Sequence, residues 1–333
     1  MCFNPTVPPS FPPGALVPAA EGAQARKALE GRPTRAACGC CTGLIVRDGG
    51  HNNTPGNAMK QLAYGGGHNG QGANPLHSKI TIDTHSPATS SGPGKGRIII
   101  TTVMTAVNKT VPTTKRTLSV QLEDDALEKR IHMIPAAISR YWNALPLKLD
   151  ITDATCGRNI YDIVFDPQIT LSRDGKSVRG THFTVEIVNV PPQPGQPLGP
   201  EIRDGSGILQ GQSYVQGKSA VFNIGEGRTA TDSNAAGMLN PQADIVEAHE
   251  YGHMLGLKDE YNDHARNRGG VDYILPDGTT QQAKGQEHLM DTMNKQQDAR
   301  QARYAITIAY AVQDMLNDNG RTVSRNKIIG DYI

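Results

Sequence analysis

Val246-Glu247-Ala248-His249-Glu250-Tyr251-Gly252-His253-Met254-Leu255-Gly256-Leu257-Lys258-Asp259-Glu260-Tyr261 is the stretch whose reading organises the rest of this chain. Ile245, Val246, Met254 and Leu257 carry helical apolar spacing, which predicts a helix over about 242–257. Four residues separate His249 from His253, so on that helix both imidazoles lie on one face, about one turn apart. Two neutral imidazole nitrogens so placed can reach one Zn²⁺ at roughly 2.0–2.1 Å. Glu250 adjoins the first of them. Its carboxylate suits a general base that takes a proton from water attacking a carbonyl and passes it to the leaving amine.

A catalytic zinc site usually takes three protein ligands. The candidates for the third are Asp259, Glu260, His264, Glu287 and His288. Gly256 stands three residues after His253 and tolerates the left-handed backbone that ends a helix and turns the chain back. Asp259 stands three residues further on, where a reversed chain returns a carboxylate to the metal, so the geometry favours Asp259. Glu260 points elsewhere and takes a supporting role, such as orienting a histidine. Glu287, arriving from a distant segment, would mean a thermolysin-like arrangement.

His249-Glu250-x-x-His253-x-x-Gly256-x-x-Asp259 resembles the extended motif of the metzincin clan of zinc metallopeptidases, in the variant with aspartate as third ligand. The resemblance covers roughly residues 97–320. It implies a methionine turn beneath the metal, for which Met290 in His288-Leu289-Met290-Asp291-Thr292-Met293 is the first candidate and Met293 the second. It implies that the strand before the zinc helix, Ser219–Ile224, is the sheet edge that binds extended substrate. Thr292 stands where many metzincins carry a tyrosine, leaving Tyr261 and Tyr251 as candidates to stabilise an oxyanion.

Working outward, Ile98 to Val107 and Leu118 to Leu122 read as strands. Leu127, Ile131, Ile134, Ile138, Trp142 and Leu145 form a helix stripe, with Pro135 inside it as a kink or a start. Strands are expected at Leu147–Ile151, Tyr161–Phe165, His182–Val190 and Ser219–Ile224, a hairpin turn at Pro276-Asp277-Gly278, and a last helix over about 296–317 stopped by Gly320. The expected architecture is α+β. A twisted mixed sheet, an active-site helix and a C-terminal helix form a metzincin-like domain over 96–333, preceded over 1–95 by a Pro/Gly-rich, poorly structured leader or adaptor.

That leader contains Pro8-Pro9, Pro12-Pro13, Gly65-Gly66-Gly67 and Ser90-Ser91-Gly92-Pro93-Gly94. His51, His68, His77 and His85 within it read as solvated loop histidines, and Gly92 to Gly96 as a linker without phosphate-loop spacing. The five cysteines, Cys2, Cys38, Cys40, Cys41 and Cys156, make no complete disulfide set. They read as ordinary thiols. A sharper reading has one of Cys38, Cys40 and Cys41 cap the metal and keep the enzyme latent.

The formal net charge of +1 argues against nucleic acid or an anionic membrane as partner, since both select a basic face. No stretch reaches the length of a membrane span. Met1 to Ala20 lacks the early basic region and apolar core of a classical secretory signal. The chain is expected to be cytoplasmic as made, acting there or exported as a toxin-like effector by a specialised secretion system that reads residues 1–95. The leading function is a zinc-dependent endopeptidase acting on protein or peptide. The alternatives are a hydrolase of peptidoglycan peptides and a catalytically silent zinc-binding protein, and the intact Glu250 weighs against the last.

Overall fold

The β-branched run at Ile98 grows into a long inner strand. In the computed structural model it spans Gly94–Asn108, and its buried positions alternate through Gly94, Gly96, Ile98, Ile100, Thr102 and Met104. The structure describes residues 42–49, 51, 59–63, 76–109, 124–144, 147–189, 202–203, 209–210, 213–223, 241–260, 268–283, 289–290 and 302–330.

In chain order the strands are β1 (Gly43–Asp48), β2 (Met59–Ala63), β3 (Lys79–Ser86) and β4 (Gly94–Asn108), followed by helix α1 (Asp124–Trp142). Next come β5 (Lys148–Asp153), β6 (Gly157–Ser172), β7 (Phe183–Val188), β8 (Ile202–Arg203), β9 (Leu209–Gln210), β10 (Tyr214–Gln216) and β11 (Ser219–Asn223). Helix α2 (Pro241–Met254), β12 (Arg268–Ile274), β13 (Thr280–Ala283), a 3₁₀ turn (Ala302–Ala305), helix α3 (Ile306–Asp318) and β14 (Val323–Ile329) complete the order. The architecture is α+β. No helix among the described residues is long and apolar enough to cross a membrane.

The main sheet has nine strands and runs β10-β11-β7-β4-β6-β5-β14, with β3 on β4 and β1 on β3. β4 pairs in parallel with β6 along its length on one side. On its other side it pairs antiparallel with β3 and, further along, parallel with β7. Gly94 and Gly96 are therefore not a linker. A Cβ on Gly96 would lie 2.4 Å from the Asp83 carbonyl and 2.7 Å from the Tyr161 ring, so the close approach of neighbours requires glycine there.

Two expectations are corrected by this sheet. The boundary drawn between residues 95 and 96 cuts through β4 and separates it from its hydrogen-bonded neighbour β3, because Thr84 faces Gly96 and Ile82 faces Ile98. Ile80 and Ile82 are fully buried, so two isoleucines and Thr84 suffice to seat β3 in the core. All described residues belong to one compact unit, Gly39–Ile333; residues 1–41 lie outside them. The strand before α2 is not an edge either: β11 is flanked by β7 and, through a short hairpin, by β10. Finally, the helix stripe holds through Pro135 as the continuous α1, whose buried face is Leu127, Ile131, Ile134, Ile138 and Trp142.

The hairpin expected at Pro276-Asp277-Gly278 joins β12 to β13, with Gly278 at φ 82 and the Asp277 carboxylate accepting from the Thr279 amide at 3.0 Å. The last helix ends as read. Gly320 adopts φ 76, and the Arg321 amide donates to the Leu316 carbonyl at 2.9 Å, the cap expected of a left-handed glycine. The expected strand at Leu118–Leu122 lies outside the described residues.

Because β3 is core and β1 is its outer neighbour, truncating them should have unequal effects. Ile82→Ala should cost about 2–5 kcal/mol of stability in urea unfolding, whereas Leu44→Ser, at a residue 65% exposed, should stay within about 0.5 kcal/mol. Near-equal small effects would mean that residues 79–86 are dispensable to the fold.

Candidate metal centre

Helix α2 is buried on nearly every face from Ile245 to Leu255, as befits a helix sandwiched inside a domain. Its end is set by Gly256. That residue has φ 89, its amide donates to the His253 carbonyl at 3.0 Å, and the Leu257 amide donates to the Gly252 carbonyl at 3.0 Å. This pair of bonds is a Schellman cap, and it folds the next residues back across the last turn.

The reversal brings Asp259 to the histidines. Asp259 Oδ1 lies 3.1 Å from His249 Nε2 and 3.1 Å from His253 Nε2, and the two Nε2 atoms are 3.2 Å apart. Each imidazole is fixed from behind. His249 Nδ1 donates to the Leu289 carbonyl at 2.7 Å and His253 Nδ1 to the Leu257 carbonyl at 2.8 Å, which leaves both Nε2 atoms to the common point. Among the described residues this trio is the only group of three or more His, Cys, Asp or Glu able to share an ion. Two ligands bound to zinc at tetrahedral angle stand about 3.3 Å apart, from bond lengths of roughly 2.0–2.1 Å. The donor set and its spacing therefore fit zinc.

The charges respond to the crowding. At His253, burial pulls the pKa down most, but the charge and hydrogen bond of Asp259, helped by Glu250, outweigh it and lift it to about 9. His249 is raised by the same contest between burial and the Asp259 bond. Burial would raise Asp259, yet the two imidazoles hold its carboxyl well below the usual range. Glu250 sits beside the trio, only 5% exposed.

Two supports hold α2. Arg130 of α1, fully buried, donates through Nε to Glu247 at 3.0 Å and through Nη1 to Asp244 at 3.0 Å. Burial nonetheless pushes the Glu247 carboxyl up to about 7, against the pull of Arg130. Trp142 Nε1 donates to the Ala248 carbonyl at 2.9 Å. Beneath the helix lies Met290. A Cβ on Gly252 would meet its sulfur at 2.2 Å, so the glycine admits the methionine against the helix, one residue before His253.

Glu260 is not a ligand and does not orient a histidine directly. Both its oxygens are taken: Arg303 donates to Oε1 at 2.8 Å through Nε and to Oε2 at 2.7 Å through Nη2, and the Tyr273 hydroxyl donates to Oε1 at 2.6 Å. Arg303 and its tyrosine neighbours carry no signal in the sequence, since a lone Arg before an apolar helix reads as surface. Tyr251 is also removed from the site. Its hydroxyl bonds Thr102 at 3.0 Å inside the sheet, and burial holds its pKa well above the ordinary value. Tyr261, His264, Glu287, His288 and Met293 lie outside the described residues.

His51 is no solvated loop residue: it is 5% exposed and its Nε2 donates to the Ser78 carbonyl at 2.8 Å. His85 lies on β3, 3.2 Å from the Asp83 carboxylate, and His77 stacks edge-on against Phe183. Cys156, in the turn between β5 and β6, is disulfide-bonded rather than a lone thiol, with its partner outside the described residues. Cys38, Cys40, Cys41 and His68 lie outside them as well. No protein-family model and no curated protein sequence matches this chain.

Gly252→Ala should cost about 1–3 kcal/mol in stability, because the Met290 thioether can swing aside while Trp142, 3.2 Å from the added carbon, cannot. A second expectation concerns pH. A group with a raised folded pKa stabilises the fold below its unfolded value and loses that effect as pH rises, so the metal-free protein should weaken between pH 6.5 and 9 through His253. Metal must displace that same proton. Thermal melts with and without Zn²⁺ should therefore diverge as pH rises from 6.5 to 9; a metal-induced shift in Tm that shrinks over this range would contradict the trio as the binding site.

Proposed function

We propose that this protein is a zinc-dependent endopeptidase of the metzincin kind. The observation that carries the reading is the convergence of His249 Nε2, His253 Nε2 and Asp259 Oδ1 at 3.1–3.2 Å, on a helix whose residue 250 is glutamate. Met290 packed under Gly252 supports the methionine turn that the resemblance implies.

His249, His253 and Asp259 would hold the ion. Bound there, Zn²⁺ supplies a Lewis acid that polarises a scissile carbonyl and acidifies water. Glu250, held in the same helical turn as both histidines and largely shielded from solvent, takes the proton of the attacking water and delivers it to the departing nitrogen. The burial that isolates Glu250 also strengthens its field at the reaction point.

Substrate binding moves by one strand from the expected place. In the described order the sheet ends on β10, antiparallel to β11, so β10 and not β11 is the strand at that rim. An extended peptide adds to such an edge through main-chain hydrogen bonds, which favours a polypeptide substrate in extended form. The disulfide at Cys156 supports the exported setting over the cytoplasmic one, because disulfides persist in oxidising compartments.

Zinc content and a peptide-library cleavage profile of the full chain test this reading. Glu250→Gln should keep zinc and lose about 10²–10⁴ in rate. Asp259→Ala should weaken zinc binding, since it removes one of three ligands. A zinc-loaded Glu250→Gln protein that hydrolyses peptides at the wild-type rate would sink the mechanism.

A further inference from the structure

The peptide group between Leu289 and Met290 is hydrogen-bonded at both ends. Its carbonyl accepts from His249 Nδ1 at 2.7 Å, and its amide donates to the Tyr304 hydroxyl at 3.1 Å. The Tyr304 hydroxyl in turn donates to Glu260 Oε2 at 3.3 Å. Glu260 is anchored by the Arg303 guanidinium, and its own amide donates to the Met290 carbonyl at 2.7 Å. Tyr304, Glu260 and Met290 are each no more than 1% exposed, so water does not interrupt the series.

We propose that Tyr304 is a positioning residue for His249, acting through the Leu289–Met290 peptide. The direction of every bond in the series is the same. The Glu260 carboxylate draws the phenol proton, which makes the Tyr304 oxygen a better acceptor for the Met290 amide. That polarises the peptide and makes the Leu289 oxygen a better acceptor for the His249 Nδ1 proton. The imidazole is thereby held in one tautomer and one orientation, and its Nε2 becomes a stronger donor toward an ion. Tyr273 offers a built-in comparison. Its hydroxyl bonds the other Glu260 oxygen at 2.6 Å and is equally buried, but it makes no recorded bond to the 289–290 peptide.

The inference rests on the trio being a metal centre, and the experiment separates the two. Zn²⁺ affinity of the full chain is measured by competition with a chromophoric chelator, alongside Tm, for wild type, Tyr304→Phe and Tyr273→Phe. Both variants keep the ring and lose one hydroxyl on Glu260, so both should lower Tm. Tyr304→Phe should weaken zinc binding about tenfold, the low end of the roughly 10–100-fold lost with the outer partner of a ligating histidine, because the Leu289 carbonyl stays but loses its anchor. Tyr273→Phe should leave it within about threefold, since the Tyr304 bond to the Met290 amide stays intact. Wild-type affinity in Tyr304→Phe, or equal losses in both variants, overturns the proposal. Absence of saturable zinc binding in wild type instead overturns the metal centre itself. Should Tyr304→Phe fail to fold, Glu260→Gln breaks the same series at the carboxylate and is read against the same comparison, with unchanged affinity again the overturning result.

Discussion

Three ligand-type atoms lie within 3.2 Å of one another at the end of α2, and they hold that spacing only by sharing a proton or a metal cation. Such a cluster persists only if every other polar atom of its members is tied down elsewhere. The two Nδ1 atoms are tied to backbone carbonyls, one from the Schellman turn that ends the helix and one from the peptide before Met290. The Gly256 reversal is thus both the route that delivers Asp259 and the support for His253. The 289–290 turn does the same for His249 from a segment forty residues away.

Buried arginines brace this arrangement at two levels. Arg130 ties α2 to α1 through Glu247 and Asp244, and Arg303 ties the loop after α2 to the turn leading into α3 through Glu260. A third pair, Arg321 with Asp153 at 2.6 Å, fixes the end of β5 near the start of β14. Each pair costs desolvation, and breaking one by removing a partner typically costs about 3–5 kcal/mol because it strands a buried charge. Their value here is geometric: planar guanidinium forks fix the angle at which carboxylates, and the elements carrying them, meet.

The sheet supplies the rigid floor. β4 is hydrogen-bonded on both edges for most of its length, and Thr102 on it bonds Tyr251 of α2, so that helix is registered to the sheet's centre rather than its rim. At one end of the described strand order lies β10, paired to β11.

The sequence by itself determined the short-range features, because these depend on fixed spacing along one chain. The i, i+4 histidines share a helix face, glycine at 256 stops that helix, and aspartate at 259 meets the histidines after the reversal. The alternation in residues 183–188 and the stripe from Leu127 to Trp142 likewise became β7 and α1. Only the tertiary structure decided what depends on partners distant in sequence. β3 carries too few apolar residues to read as core until β4 is placed beside it, and β11 looks like an edge until the three residues of β10 pair with it. Glu260 could have been a ligand, a histidine's partner or a surface charge. Arg303, 43 residues on, decided it, because a buried carboxylate goes to the strongest donor within reach, and no local pattern in the chain says which donor that is.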